Sequence, residues 1–100
     1  MDTAELDLAR KEIDRINDAL TDLLVERMKQ VDMVAHWKSI NHQPVVVPDR
    51  EKVILDKVSA RAGEKYAAGV REIFKSIIAV SCAREVQDMT ISEKDICSGK

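Results

Sequence analysis

The sequence predicts an all-α chain of three helices, one of them very long, assembled as an intertwined homodimeric helical bundle. Three observations predict it. Residues 3–41 hold no Pro or Gly and repeat apolar residues at a three–four spacing. Pro44 and Pro48 fall in one short break that separates this run from two further helical segments. The first run is also too long for a compact chain of 100 residues to cover.

The first helix is expected from about Thr3 to about Asn41, with Leu6, Ala9, Ile13, Ile16, Leu20, Leu23, Val31 and Val34 on one stripe. Asp2 followed by Glu5 resembles a capping box. A helix of ~38 residues is ~57 Å long at ~1.5 Å per residue. A domain of this size has a radius of gyration of only ~13 Å. The helix should therefore overhang its own domain with its apolar stripe uncovered, and a second copy of the chain is the simplest cover. A coiled-coil hairpin is the rival, but charges break its a/d pattern.

The break, Asn41-His42-Gln43-Pro44-Val45-Val46-Val47-Pro48, reads as an extended loop. Its Val triplet is too short for a strand and has no partner elsewhere. Asp49 can cap a second helix to Ala62, and Gly63 fits its stop. A third helix is expected from about Ala67 to Met89, with Val70, Ile73, Phe74, Ile77, Ile78 and Ala79 on its apolar face. The domain then spans residues 1–90, and residues 91–100 form a polar tail expected to fray.

Composition narrows the function. Sixteen basic and 18 acidic residues give a formal charge of −2, and three residues are aromatic. No basic face with aromatic readout supports nucleic-acid binding, and no apolar window is long enough to span a membrane. The N-terminal residues are acidic where a secretory leader would be basic and then apolar. Cys82 and Cys97, fifteen positions apart, form neither a CxxC pair nor a disulfide framework. These features predict a cytoplasmic protein. His36 and His42 have no ligand spacing around them and read as surface or loop residues, so no metal site is expected.

The charges that interrupt the apolar stripes carry the most information. Beyond Leu23 the first stripe meets Arg27, passes Val31 and Val34, and reaches Lys38. Arg10 lies near the same face at the other end. On the third helix Ile73 and Ile77 lead to Ser81 and Glu85, neighbours at i and i+4. A single Lys or Arg on such a stripe ordinarily carries its charge to water. Ion pairing across a dimer would have to offset a desolvation cost of roughly several kcal/mol per ion. Three cations on one face, with a hydroxyl and a carboxyl on another, suggest instead a polar cavity inside a bundle that takes an anion. Arg forks suit carboxylates or phosphates. The absence of a Gly-rich phosphate loop favours a dicarboxylate.

The same positions resemble the all-helical chorismate mutases over roughly residues 6–89. Leu8-Ala9-Arg10-Lys11-Glu12-Ile13-Asp14-Arg15-Ile16-Asn17 resembles that family's opening segment. Leu23-Leu24-Val25-Glu26-Arg27 resembles its Leu-Leu-x-x-Arg step, and Lys38 follows eleven residues later. Pro44-Val45 with Asp49-Arg50-Glu51 resembles its turn into the second helix. Ile77-Ile78-Ala79-Val80-Ser81 resembles its third-helix site segment. The five pieces occur in order at matching spacings.

The resemblance implies a chorismate mutase, an isomerase of aromatic amino acid biosynthesis (the shikimate pathway) that needs no cofactor. It implies a homodimer in which each site takes Arg27, Lys38, Arg50, Glu51, Ser81 and Glu85 from one chain and Arg10 from the partner. Arg10 and Arg27 would hold the two carboxylates of chorismate. Glu51 would contact the ring hydroxyl, and Lys38 and Glu85 would bond the ether oxygen. There are two departures. Many members carry Gln where Glu85 stands, and a carboxyl must be protonated to donate there. Val47 stands where the loop often holds an acidic residue. An isochorismate-pyruvate lyase, forming salicylate, shares the scaffold and nearly the same residues, and an aminodeoxychorismate mutase is a third enzyme reading. A non-catalytic helical dimerisation or regulatory module is the alternative of another class, and it would let the charged constellation decay.

Overall fold

The computed structural model describes the backbone of residues 2–98 and the side chains of residues 2–87. Three helices follow in order: α1 (Thr3–Asn41), α2 (Pro48–Ala62) and α3 (Ala67–Ser98). Among the described residues there is no strand, so the all-α expectation holds and the Val triplet is loop. The chain divides into two units, Met1–Gln30 and Val31–Lys100.

The first unit is the opening part of α1. Asp2 Oδ1 accepts the Glu5 N–H at 2.7 Å, the N-terminal half of the expected capping box. The apolar stripe forms, and among the described residues its Leu6, Ile13, Ile16, Leu20 and Leu23 remain 36% to 60% exposed. Helix formation here rests on an uninterrupted run of good helix formers rather than on burial.

The second unit begins with the last turns of α1. The helix ends where His42 takes a left-handed conformation (φ 55°). The Gln43 N–H then donates back to Lys38 O at 2.9 Å, the six-to-one bond of a Schellman stop. This reversal sends the 42–47 loop back along α1. The α2 helix starts one residue earlier than expected. Its N-cap is Val47, which has no side-chain bond to offer, and Pro48 sits at the first helical position. Proline is preset for that position and lacks only an N–H that would be unpaired anyway. Asp49 is thereby displaced from the cap into the first turn, beside Glu51, where both acids complement the helix dipole.

Gly63 stops α2 as expected, with φ 83° and ψ 160°. Its carbonyl accepts the Tyr66 and Ala67 N–H groups and starts α3. The α3 helix packs on α2 through Val70, Phe74, Ile77 and Ile78 against Ile54, Leu55 and Val58, all at least partly buried. Ile73, expected on that face, is instead 61% exposed. The packed stripe runs through 74, 77, 78 and 81, and position 73 lies about 100° round the helix from 74. Arg71 Nη1 reaches across to Asp56 Oδ1 at 3.2 Å and to Ser59 Oγ at 3.5 Å. Bonds from Lys52 and Arg71 hold the Asp56 carboxyl below its ordinary value of 3.8. This contribution is therefore present near neutrality and lost as pH falls through the lowered value.

The α3 backbone runs nine residues beyond the expected end at Met89. No Pro or Gly occurs between Met89 and Ser98, so nothing in the sequence breaks the helix there. The side chains of the expected 91–100 tail, and all of Gly99 and Lys100, lie outside the described residues.

The two described glycines separate conformation from packing. A Cβ at either Gly63 or Gly69 would meet nothing within 4 Å, but only Gly63 has a positive φ. Gly63→Ala should destabilise the protein by about 1–3 kcal/mol. Gly69→Ala, inside α3, should stabilise it by about 1 kcal/mol. Urea unfolding checks both: equal and same-signed shifts would contradict the assigned backbone at Gly63.

Candidate functional site

The second unit holds a largely buried lysine side chain. Lys38 lies in the last turn of α1, on the stripe that includes the 1%-exposed Ala35. Its Nζ donates to Val45 O at 2.9 Å, a bond made possible by the chain reversal at His42. The same Nζ lies 2.9 Å from Glu85 Oε1 on α3. The Lys38 and Glu85 side chains are only 13% and 8% exposed. The approach to Oε1 is off the hydrogen-bonding direction, so that buried oxygen has a cation beside it yet no hydrogen-bond partner. A buried acceptor left in this state costs free energy that a ligand or a proton can recover.

Ser81 lies one turn before Glu85 on the same face, and both are buried. Its hydroxyl donates to Ile77 O at 2.8 Å, which keeps it on the helix. Of the sequence-predicted residues, Lys38 and Glu85 are thus brought into contact, with Ser81 one turn from Glu85 on the same face. Arg50 and Glu51 occupy the first turn of α2, Arg50 exposed and Glu51 half-buried. Among the described residues no ion pair joins either to Lys38 or Glu85. Arg10 and Arg27 belong to the Met1–Gln30 unit, where Arg10 is exposed and Arg27 half-buried. His36 and His42 are exposed, as expected of surface and loop positions. Among the described residues no group of His, Cys, Asp and Glu is placed to hold a metal ion, and no helix is long and apolar enough to cross a membrane.

Sequence reasoning missed the Val45 carbonyl. A backbone acceptor has no side-chain signature, and only the Pro44-Val45 step after a helix stop hinted that the loop turns back. It also missed the ion pair of Asp32 and Arg84, 52 positions apart. Neither residue interrupts an apolar stripe, so nothing marked them as partners.

What the cluster can do follows from its donors. An ammonium and a carboxyl lie side by side between α1 and α3, so an oxygen of a ligand placed between them could accept from Lys38 Nζ. It could also accept from Glu85 whenever Glu85 holds a proton. The pair also sets a stability prediction. Lys38→Ala should cost about 3 kcal/mol or more, because it leaves the Glu85 carboxylate buried without a cation. Glu85→Gln should cost clearly less, since the ammonium keeps Val45 O and gains an amide oxygen. Chemical denaturation of the two variants checks the order, and equal losses would mean that the pair is not buried in solution.

The model of the chorismate mutase type II family matches residues 9–86. The chain is 36% identical over 93 residues to the bifunctional chorismate mutase/prephenate dehydratase of Aquifex aeolicus (strain VF5), covering 92% of this chain and 25% of that protein. It is 40% identical over 67 residues to the T-protein of Enterobacter agglomerans, covering 67% of this chain and 17% of that protein. The chain therefore spans a quarter or less of the length of these relatives. No solved structure gives a significant match.

Proposed function

The chain belongs to the chorismate mutase type II family, and on that premise we propose that it catalyses the intramolecular rearrangement of chorismate to prephenate. The observation that carries the reading is the buried Lys38–Glu85 contact, with its Oε1 lacking a hydrogen bond. In this rearrangement the ether C–O bond breaks as a new C–C bond forms within the same molecule. No nucleophile, external proton or cofactor enters the balance. The protein has to hold the reactive conformer and stabilise negative charge on the ether oxygen as its bond breaks.

Lys38 Nζ donates to that oxygen from one side, and the Glu85 carboxyl, when it holds a proton, donates from the other. Arg10 of the partner and Arg27 hold the two carboxylates. Glu51 takes the ring hydroxyl, and Arg50 and Ser81 complete the polar wall. An acceleration of about a millionfold corresponds to ~8 kcal/mol. Each well-aimed donor at a developing oxyanion contributes ~3–4 kcal/mol, so two donors and a restrained conformer suffice.

Ionised Glu85 accepts rather than donates. Glu85→Gln, whose amide donates without needing a bound proton, should therefore retain turnover. Turnover of the purified protein and of this variant with chorismate and, separately, isochorismate tests this. Prephenate from chorismate is expected. Salicylate and pyruvate from isochorismate alone would move the assignment to the lyase, and silence with both, in folded protein, would favour a binding module. Substituting Arg27 and Lys38 together should abolish turnover, and Arg27→Ala alone should do so largely while the protein stays folded by circular dichroism.

The homodimer belongs to the same proposal. The Met1–Gln30 unit leaves a row of large apolar side chains in water, and among the described residues no large side chain is fully buried. Burying such surface yields ~25 cal/mol per Å², and an isologous partner covers it symmetrically. In a cytoplasmic dimer whose functional domain is residues 1–90, Arg10 completes the site of the other chain. Mixing two inactive variants, Arg10→Ala and Lys38→Ala, should then restore about a quarter of wild-type activity, because random exchange leaves one intact site in each heterodimer. No recovery after verified subunit exchange would place Arg10 outside the partner's site.

A further inference from the structure

Among the described ion pairs between helices, that of Arg84 and Asp32 is two-pronged. Arg84 Nε donates to Asp32 Oδ1 at 2.6 Å and Nη2 donates to Oδ2 at 2.8 Å. Two nitrogens on two oxygens make a fork that sets orientation as well as distance. The pairs Arg15–Glu12, Lys52–Asp56 and Lys75–Glu72 each span three or four residues within one helix. The Arg84–Asp32 pair instead ties α3 to the last turns of α1, within the Val31–Lys100 unit.

Its place in the fold gives the pair its significance. Arg84 adjoins Glu85, and Asp32 precedes Lys38 by six residues, with buried Ala35 between. Among the described residues, no close backbone contact joins the 31–41 segment to α3. The two elements are therefore spanned by long side chains rather than by close backbone packing, and the Lys38–Glu85 cluster lies in the space so spanned. The inner tie, Lys38–Glu85, is the one a ligand would have to enter and rearrange. The outer tie, 44% and 37% exposed, need not be broken. We propose that the Arg84–Asp32 fork is a positioning clamp, which keeps α1 and α3 in register and spacing so that Lys38 Nζ and Glu85 Oε1 stay aimed at one point when substrate separates them. As positioning residues, Asp32 and Arg84 touch no reacting atom. Their effect on turnover rests on the proposal that Lys38 and Glu85 bond the ether oxygen.

Two measurements on full-length protein separate the clamp from that reading. The first follows the Lys38 side-chain ammonium by 15N NMR, where contacts with Val45 O and Glu85 slow its proton exchange. Arg84→Ala and Asp32→Ala should each weaken or broaden that signal, and an unchanged signal in both would overturn the clamp whatever the turnover. The second is a double-substitution cycle on chorismate turnover. Each single change should lower kcat by about tenfold to a hundredfold, the scale of an ångström-sized misplacement, with KM little changed. The double variant should lose no more than the worse single. An exposed pair contributes little to stability, so the thermal midpoint should move by no more than about 5 °C. Arg84→Lys, a point charge without the fork, should recover only part of kcat. Losses that add in the double variant, or that track unfolding, would overturn the clamp. Wild-type protein silent toward chorismate would sink the functional reading alone, leaving the ammonium signal to decide the clamp.

Discussion

A lysine ammonium removed from water has to be satisfied by whatever surrounds it, and the second unit is arranged to satisfy Lys38. The carbonyl comes from Val45 and the carboxylate from Glu85, each 2.9 Å away. These two contacts join the end of α1, the connecting loop and the middle of α3. Desolvating the two charges costs roughly several kcal/mol per ion, a cost that a purely structural pair rarely recovers and that apolar packing would avoid. The cluster is therefore a poor device for stability and a good one for holding a donor ready. The His42 reversal, the loop path and the packing of α3 on α2 serve to bring these three groups together.

The same economy explains what the chain leaves exposed. A chain whose described apolar core is Ala35 and Ile78 has little to set against the conformational entropy of ordering 100 residues. Leu6, Ile13, Ile16, Leu20 and Leu23 line the first unit, in water. A site built from charges between helices deepens the deficit, because Lys38, Ser81 and Glu85 take positions that Leu or Ile would fill in a bundle made only for stability. In the proposed dimer, sharing a core with a second copy would offset both and would let a cation from one chain serve the other at no further cost in ordered residues.

Much of this was legible in the sequence because helices advertise themselves locally. An unbroken 3–41 run, a double-proline loop and Gly63 each act through the backbone of their own few residues. Lys38, Ser81 and Glu85 were legible for a related reason: each interrupts an apolar periodicity, and an interruption on a buried stripe needs an explanation. What escaped was whatever depends on rotation or on distant pairing. Ile73 fits the apolar count of α3 but falls off the packed face by one step of the helix. The N-cap fell to Val47 because the preset φ of Pro48 outweighs the side chain of Asp49. The end of α3 was expected at the change to polar composition, yet polarity does not break a helix where no Gly or Pro intervenes.

Arg84 and Asp32 show the limit most clearly. Both sit where a solvated charge is ordinary, and periodicity therefore gives neither any weight. Their meaning is relational, since a fork between two helices is informative only once the helices are known to face each other. The family resemblance does not supply it either, because it bears on the residues proposed to meet substrate. Residues that hold those groups in place are free to differ between chains that solve the same positioning problem with different packing. In a protein whose helices are bridged by long side chains, the aim of Lys38 depends on such ties as much as on its own contacts. A chain with a carboxylate at position 85 needs that aim more than one with an amide. An unprotonated Glu85 pulls the ammonium toward itself, and only a fixed helix spacing keeps Nζ within reach of an oxygen placed between them.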